Sequence, residues 1–150
     1  MKLLEEILKQ PPVFMNDWTH KVDVISDFED IYLTNKEYIA ETPPYPNVQF
    51  WLERKERMHK AIEEYKDINI LFASYGNANY SGSAWVLFEK NGQLFEVNGD
   101  HCSCYGLEGQ WEPEEVSLIE LEHRLIHGSF GEDSWSDNNF KEELCEFLGV

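Results

Sequence analysis

The sequence predicts an α+β domain: a small antiparallel β-meander of about three strands, packed with N-terminal and C-terminal helices. Three observations carry this. Two runs rich in β-branched and aromatic residues, Ile68–Gly76 and Ser83–Lys90, read as strands. The dipeptide Asn91-Gly92 directly after the second is the strongest short hairpin signal, and it leads into a third run, Gln93–Gly99. On both sides of this centre the apolar residues shift to helical spacing. The 150 residues are expected to form one domain, because a chain of this size hides roughly 70% of its unfolded surface. It divides into a helical part with a Pro-rich connector (1–46), a central helix (47–66), the meander with its following loop (68–111) and C-terminal helices (117–150).

The elements follow in order. Lys2–Lys9 places Leu3, Leu4, Ile7 and Leu8 on one side of a first helix, which Pro11-Pro12 stops. Ser26 with Glu29 has the spacing of a capping box, so a second helix is expected from Ser26 toward Tyr38–Ala40. Glu41–Asn47, "ETPPYPN", is an extended connector. Asn47 then caps a third helix running to Lys66, with Val48, Trp51, Met58, Ile62 and Tyr65 on one stripe. Its other face carries Arg54, Lys55, Arg57 and Lys60, interleaved with glutamates that neutralise them; Glu53–Arg57 and Glu56–Lys60 have the favourable order. After the meander, Ser117 with Glu120 opens a helix with Leu118, Leu121 and Leu125 inward and Gly128 at its end. A last helix is expected with Ser136 or Asp137 as cap, a stripe of Phe140, Leu144, Phe147 and Leu148, and Gly149 at its end.

Net charge is −17. Such a balance argues against direct binding to nucleic acid or to an anionic membrane, both of which attract basic patches. The charge is uneven: residues 93–150 hold fourteen acids against only Arg124 and Lys141. No apolar run approaches the roughly 20 residues needed to span a bilayer. The start, "MKLLEEILKQPP", is too acidic for a secretory signal, so a cytoplasmic protein is expected. Three cysteines, an odd number, argue against a disulfide framework.

Chemistry concentrates in "NGDHCSCYGLEGQW", Asn98–Trp111. Cys102 and Cys104 lie on one loop, and His123 and His127 stand four apart on a helix, so a Cys₂His₂ zinc set is one reading. The Cys-x-Cys spacing is tighter than usual for such sites, and packed small cysteines with surface histidines are the plainer reading. No cofactor is expected otherwise. A nucleophilic thiol served by His101 or His123 is a further alternative, a thiol-dependent hydrolase. Against it, adjacent side chains diverge and nearby carboxylates blunt a thiol. The loop Ser74–Trp85, with Gly76, Gly82 and two tyrosines, reads as turn geometry or as a contact for a small ligand or peptide. Phosphate-loop, His-Glu-x-x-His, Cys-x-x-Cys and deaminase signatures do not occur.

The run Ser81–Leu125, and above all "HCSCYGLEGQWEPE" within it, resembles a group of small uncharacterised proteins encoded by bacteriophages and prophages. The resemblance covers about a third of the chain and carries no catalytic residues. It implies a phage or mobile-element accessory protein in a bacterial cytoplasm. Joined to the charge, it points to an acidic inhibitor of a host protein with a basic surface, a nucleic-acid-handling defence factor above all, as an anti-CRISPR would be. Carboxylates at Glu112, Glu114, Glu115, Glu132, Asp133, Asp137, Glu142, Glu143 and Glu146 would supply the partner-binding face. The alternative is a zinc-stabilised accessory module.

Overall fold

The computed structural model describes all residues, Met1–Val150. In chain order the elements are α1 (Leu4–Lys9), β1 (Val13–Asn16), α2 (Lys21–Phe28), α3 (Asn35–Ile39), α4 (Val48–Glu64), β2 (Asn69–Ala78), β3 (Ser81–Lys90), β4 (Gln93–Cys102), β5 (Glu114–Glu115), α5 (Leu118–His127) and α6 (Lys141–Leu148). The class is α+β as expected, but the sheet has five strands, in the order β1-β2-β3-β4-β5. The antiparallel β2–β3–β4 centre is the expected meander, with β4 running on to Cys102 rather than stopping at Gly99. The two added strands are edges. β1 lies parallel to β2, Val13 opposite Phe72 and Asn16 opposite Tyr75. β5 pairs Glu114 and Glu115 with Glu96 and Phe95.

Helices cover both faces. On one, Phe72, Trp85, Leu87 and Leu94 meet Ile7 of α1, Leu121 and Leu125 of α5, and Leu144, Phe147 and Leu148 of α6. On the other, Ala73, Tyr75, Ala84, Val86, Phe88 and Val97 meet Trp18, Val24, Phe28 and Leu107. The register slips between Ile70 and Phe72, so Leu71 is an extra residue in β2. Leu71 and Phe72 therefore both face α1, α5 and α6, while Ile70 and Ala73 face the opposite layer. A third apolar cluster lies between α2 and α4, around Ile25, Ile31, Trp51, Met58 and Tyr65. Trp111 ties it to the sheet, its ring lying edge-on to Phe28 and Tyr65 and tilted against Phe88.

Several local expectations change. No helix begins at Ser26: that residue is buried inside α2, and its Oγ accepts the Leu33 N–H at 2.8 Å. α2 starts earlier, where the Asp23 carboxylate accepts the His20 N–H at 3.0 Å. Asp30 and Tyr32, both with φ above 50°, break the chain before Thr34 and Glu37 form a second capping box that opens α3. The last helix is capped at Phe140 rather than Ser136 or Asp137. The first begins at Leu4, and Val48 of the α4 stripe is exposed. The basic residues of α4 are taken up by the fold. Arg54 donates to the Ile31 carbonyl and Arg57 to that of Glu29, while Lys55 lies over the Trp51 ring and Lys60 pairs with Glu56.

Asn91 and Gly92 have φ of 54° and 81°, the left-handed pair that a two-residue hairpin of the right twist requires. A Cβ at Gly92 would meet nothing within 4 Å. Gly92→Ala isolates the cost of that backbone conformation, expected at roughly 1–2 kcal/mol in chemical denaturation. A loss of only a few tenths of a kcal/mol would mean that the turn is not held in this form.

Candidate functional site

Three segments meet at one end of the sheet: the β2–β3 hairpin tip, the end of β4 with its following turn, and the α5–α6 loop. Ser81 pairs with Cys102, Cys102 forms a bridge with Tyr105, and the Ser81 hydroxyl donates to the Trp135 carbonyl at 3.1 Å. This end presents aromatic side chains to solvent. Trp135 is 89% exposed, Tyr80 77% and Tyr105 51%. Stretches 74–83, 99–109 and 129–139 carry Asp100, Glu108, Glu132, Asp133 and Asp137, and not one Lys or Arg.

The loop that bears Trp135 is held by a buried polar network. Asn138, 2% exposed, accepts the Ser74 hydroxyl at 2.6 Å and an Asn16 amide N–H at 3.2 Å, and donates to the Ser83 carbonyl at 3.0 Å. Asp133 accepts the Ser83 hydroxyl at 2.7 Å and the Ser136 N–H at 3.3 Å. Gly76 passes directly beneath: a Cβ there would lie 2.4 Å from the Ser136 carbonyl oxygen. The exposed indole is thus mounted on a fixed backbone, so little further ordering is needed to present it.

On the opposite sheet face His101 stacks edge-on to Tyr75, whose hydroxyl lies 2.6 Å from its Nδ1. Gly82 makes room for the ring, since a Cβ there would fall 2.0 Å from His101 Cε1. Burial, with Asp27 adding its negative charge, pushes the Tyr75 phenol well above its usual range. Asp27 accepts the Trp18 indole N–H at 2.7 Å, and burial raises its carboxyl despite that bond. A cleft lined by Asp17, Asp23, Asp27, Tyr32, Thr34 and Glu37 opens nearby. Burial alone would raise the Asp23 carboxyl, but bonds from the Asn35, Thr19 and His20 N–H groups and the Thr19 hydroxyl outweigh it and hold it low.

The sequence-derived site residues scatter. No group of three or more His, Cys, Asp or Glu side chains is placed to hold a metal ion. Cys102 and Cys104 sit at the sheet end, while His123 and His127 pair with each other on the exposed side of α5, ring centroids 4.8 Å apart. The four are therefore not gathered into a zinc tetrahedron. Nor do His101 and Cys102 form a dyad: successive residues of a strand point to opposite faces, and the His101 ring is engaged by Tyr75.

The nine carboxylates do not lie together either. Glu114 and Glu115 are on the β5 edge with Glu112 close before them, whereas Glu142, Glu143 and Glu146 stand on α6. Glu132 pairs with Lys141 at 3.5 Å, and Asp137 is exposed at a left-handed position. Asp133 is half-buried, and its carboxylate is engaged by the Ser83 hydroxyl and the Ser136 N–H.

Tyr80 lies in the Ser74–Trp85 loop expected as a turn or as a small-ligand or peptide contact, whereas Trp135 was the residue least visible in the sequence. The available signal was a tryptophan in "GEDSWSDNN" with no apolar side chain within four residues on either side. The fold contains no helix long and apolar enough to cross a membrane. Compared with family models, with curated proteins and with solved structures, the chain matched none.

Proposed function

We propose that this chain is an acidic interaction protein that docks a host protein with a basic surface through the sheet end bearing Trp135, Tyr80 and Tyr105. The observation that supports it is the pairing of three exposed aromatics with three segments that carry five acids and no Lys or Arg. Trp and Tyr are the side chains that dominate protein interfaces, because they bury large area with few rotatable bonds. Surrounding carboxylates would steer a basic partner in and reject acidic ones. The resemblance to phage-encoded proteins supplies the setting, a bacterial cytoplasm, and the partner class, a nucleic-acid-handling defence factor that the binding inhibits. The remaining carboxylates, on β5 and α6, add long-range attraction.

Parallel capture from bacterial lysate on immobilised wild type and W135A/Y80A tests this. The expected result is one basic nucleic-acid-handling protein, retained by wild type and weakened about thirtyfold or more by the double variant, in line with about 2 kcal/mol for a buried interface aromatic. Its retention falls as salt rises from about 50 to about 500 mM, as screening requires. Adding the chain to the captured partner stops the partner's activity on nucleic acid. Equal retention by W135A/Y80A would sink the docking end, and salt-independent retention would sink the electrostatic part.

A further inference from the structure

Cys102 ends β4, and its N–H donates to the Tyr105 carbonyl at 3.3 Å, closing a tight turn over Ser103 and Cys104. The turn folds the Cys104 N–H back onto Cys102, where it donates to Sγ at 3.3 Å. An N–Cα bond is about 1.46 Å, so the Cys104 Cα lies within about 4.8 Å of that sulfur. Rotation about the Cys104 Cα–Cβ bond is then the main movement needed to bring the second thiol to the first. Cys104 is exposed and Cys102 half-buried, so both are open to small molecules. The N–H groups of Cys104 and Tyr105 directed at Cys102 Sγ favour negative charge on it, which makes Cys102 the better nucleophile of the two. Cys145 packs on α6 against the far core and serves as an internal control.

We propose that Cys102 and Cys104 form a redox pair whose substrate is a hydroperoxide, with Cys102 attacking and Cys104 resolving. In the first step Cys102 sulfur bonds to the terminal peroxide oxygen and the O–O bond breaks. The thiol proton goes to the leaving oxygen, which departs as water when the oxidant is hydrogen peroxide. Cys102 is then a sulfenic acid, oxidised by two electrons. In the second, the Cys104 sulfur attacks Cys102 Sγ; the S–S bond forms, the S–O bond breaks, and a second water leaves with the Cys104 proton. Two thiols and one peroxide become one disulfide and two waters, and a small dithiol returns the pair by exchange. The turn's two ends are already bridged, so closure needs no rearrangement of β4.

The test uses the reduced full-length chain with hydrogen peroxide near neutral pH, read by intact mass and peptide mapping, without any partner. The docking reading can therefore fail while this holds, and the reverse. The expected product has lost two hydrogens, retains one free thiol of three and maps to a Cys102–Cys104 link. Cys104→Ser stops at a sulfenic acid on Cys102 that dimedone traps, whereas Cys102→Ser forms no such link. Cys145→Ser behaves as wild type. Cys102 reacts about tenfold or more faster than Cys145, as a stabilised thiolate should. Equal rates at all three cysteines, a link to Cys145, or a link between two chains would each overturn the assignment.

Discussion

Replacing Arg124 with methionine is expected to cost about 3 kcal/mol of folding stability near neutral pH, the low end for stripping one partner from a buried ion pair, because the Arg124 side chain is itself 33% exposed. Glu96 is 4% exposed at the centre of the sheet face under α5. Its carboxylate accepts from Arg124 Nη1 and Nη2, both at 2.9 Å, and from the Trp85 indole at 3.0 Å. Arg124 also pairs with Glu120, one turn earlier on α5. Methionine keeps the volume and the apolar stem but leaves the carboxylate without its counter-charge. The expected sign with pH is specific. In the wild type, burial would raise the Glu96 carboxyl, but Arg124, Trp85 and Asn98 together hold it below its usual value. Its stabilisation is therefore full above the ordinary glutamate value of 4.5 and fades as pH falls through the lowered folded value. In Arg124→Met the burial effect is no longer opposed by the guanidinium, so Glu96 takes up a proton on acidification and relieves the penalty. Urea titrations at pH 7 and pH 4.5 are expected to show the difference between the two proteins shrinking at the lower pH. A difference that stays constant or widens contradicts a charged, stranded Glu96.

That pair marks where sequence reading stops. Glu96 stands in "QLFEVNG", where alternation assigns it to one face but not to a buried one, and its partner lies 28 residues away on another element. What was legible was local: the Asn91-Gly92 turn, the Asn47 and Ser117 caps, the meander, and the stripe of Trp51, Met58 and Tyr65. Each depends on neighbours within a few positions. β1 escaped because four residues between Pro12 and Asp17 carry no periodicity of their own; they become a strand only beside β2, which follows 52 residues later. The Ser26–Glu29 spacing misled because Leu33 offers a competing N–H to Ser26. The site suffered most. The Cys102–Cys104 turn closes on a neighbour three positions away, while the juxtaposition of Tyr80, Tyr105 and Trp135 depends on three loops that only the sheet brings together. Charge counting marked residues 93–150 as acidic but could not separate Asp133, consumed by its loop, from Asp137, free at the surface.

Gly76→Ala is expected to lift the Trp135 loop from the sheet. Gly76 has no left-handed backbone, so the substitution adds only a methyl group, and that group meets backbone. The Ser136 carbonyl oxygen would be 2.4 Å away and the Asn138 Cα and Cβ 2.6 Å, too close for any real Cβ. Because Gly76 is paired with Ser83 of β3, directly after the last β1–β2 pair at Asn16 and Tyr75, the loop rather than the strand is expected to move. Movement separates Asn138 from Ser74 and Ser83, leaving the buried Ser74 hydroxyl with the Asn16 amide donating to it but no acceptor for its own proton. Overpacking costs about 1–3 kcal/mol and an orphaned buried group about as much again. Hydrogen exchange resolves the event by position. The amides of Asn138 and Phe140, which donate to Asp133 and Gly131, should lose protection while those of the β3–β4 ladder keep theirs. Protection retained at Asn138 would mean that the strand yields instead, and that the loop is not the softer element. Comparison with Trp135→Ala separates two causes of weak partner binding. Removing the indole should weaken binding with exchange unchanged, whereas Gly76→Ala keeps the indole and removes the frame that aims it, so any loss of affinity then measures preorganisation alone.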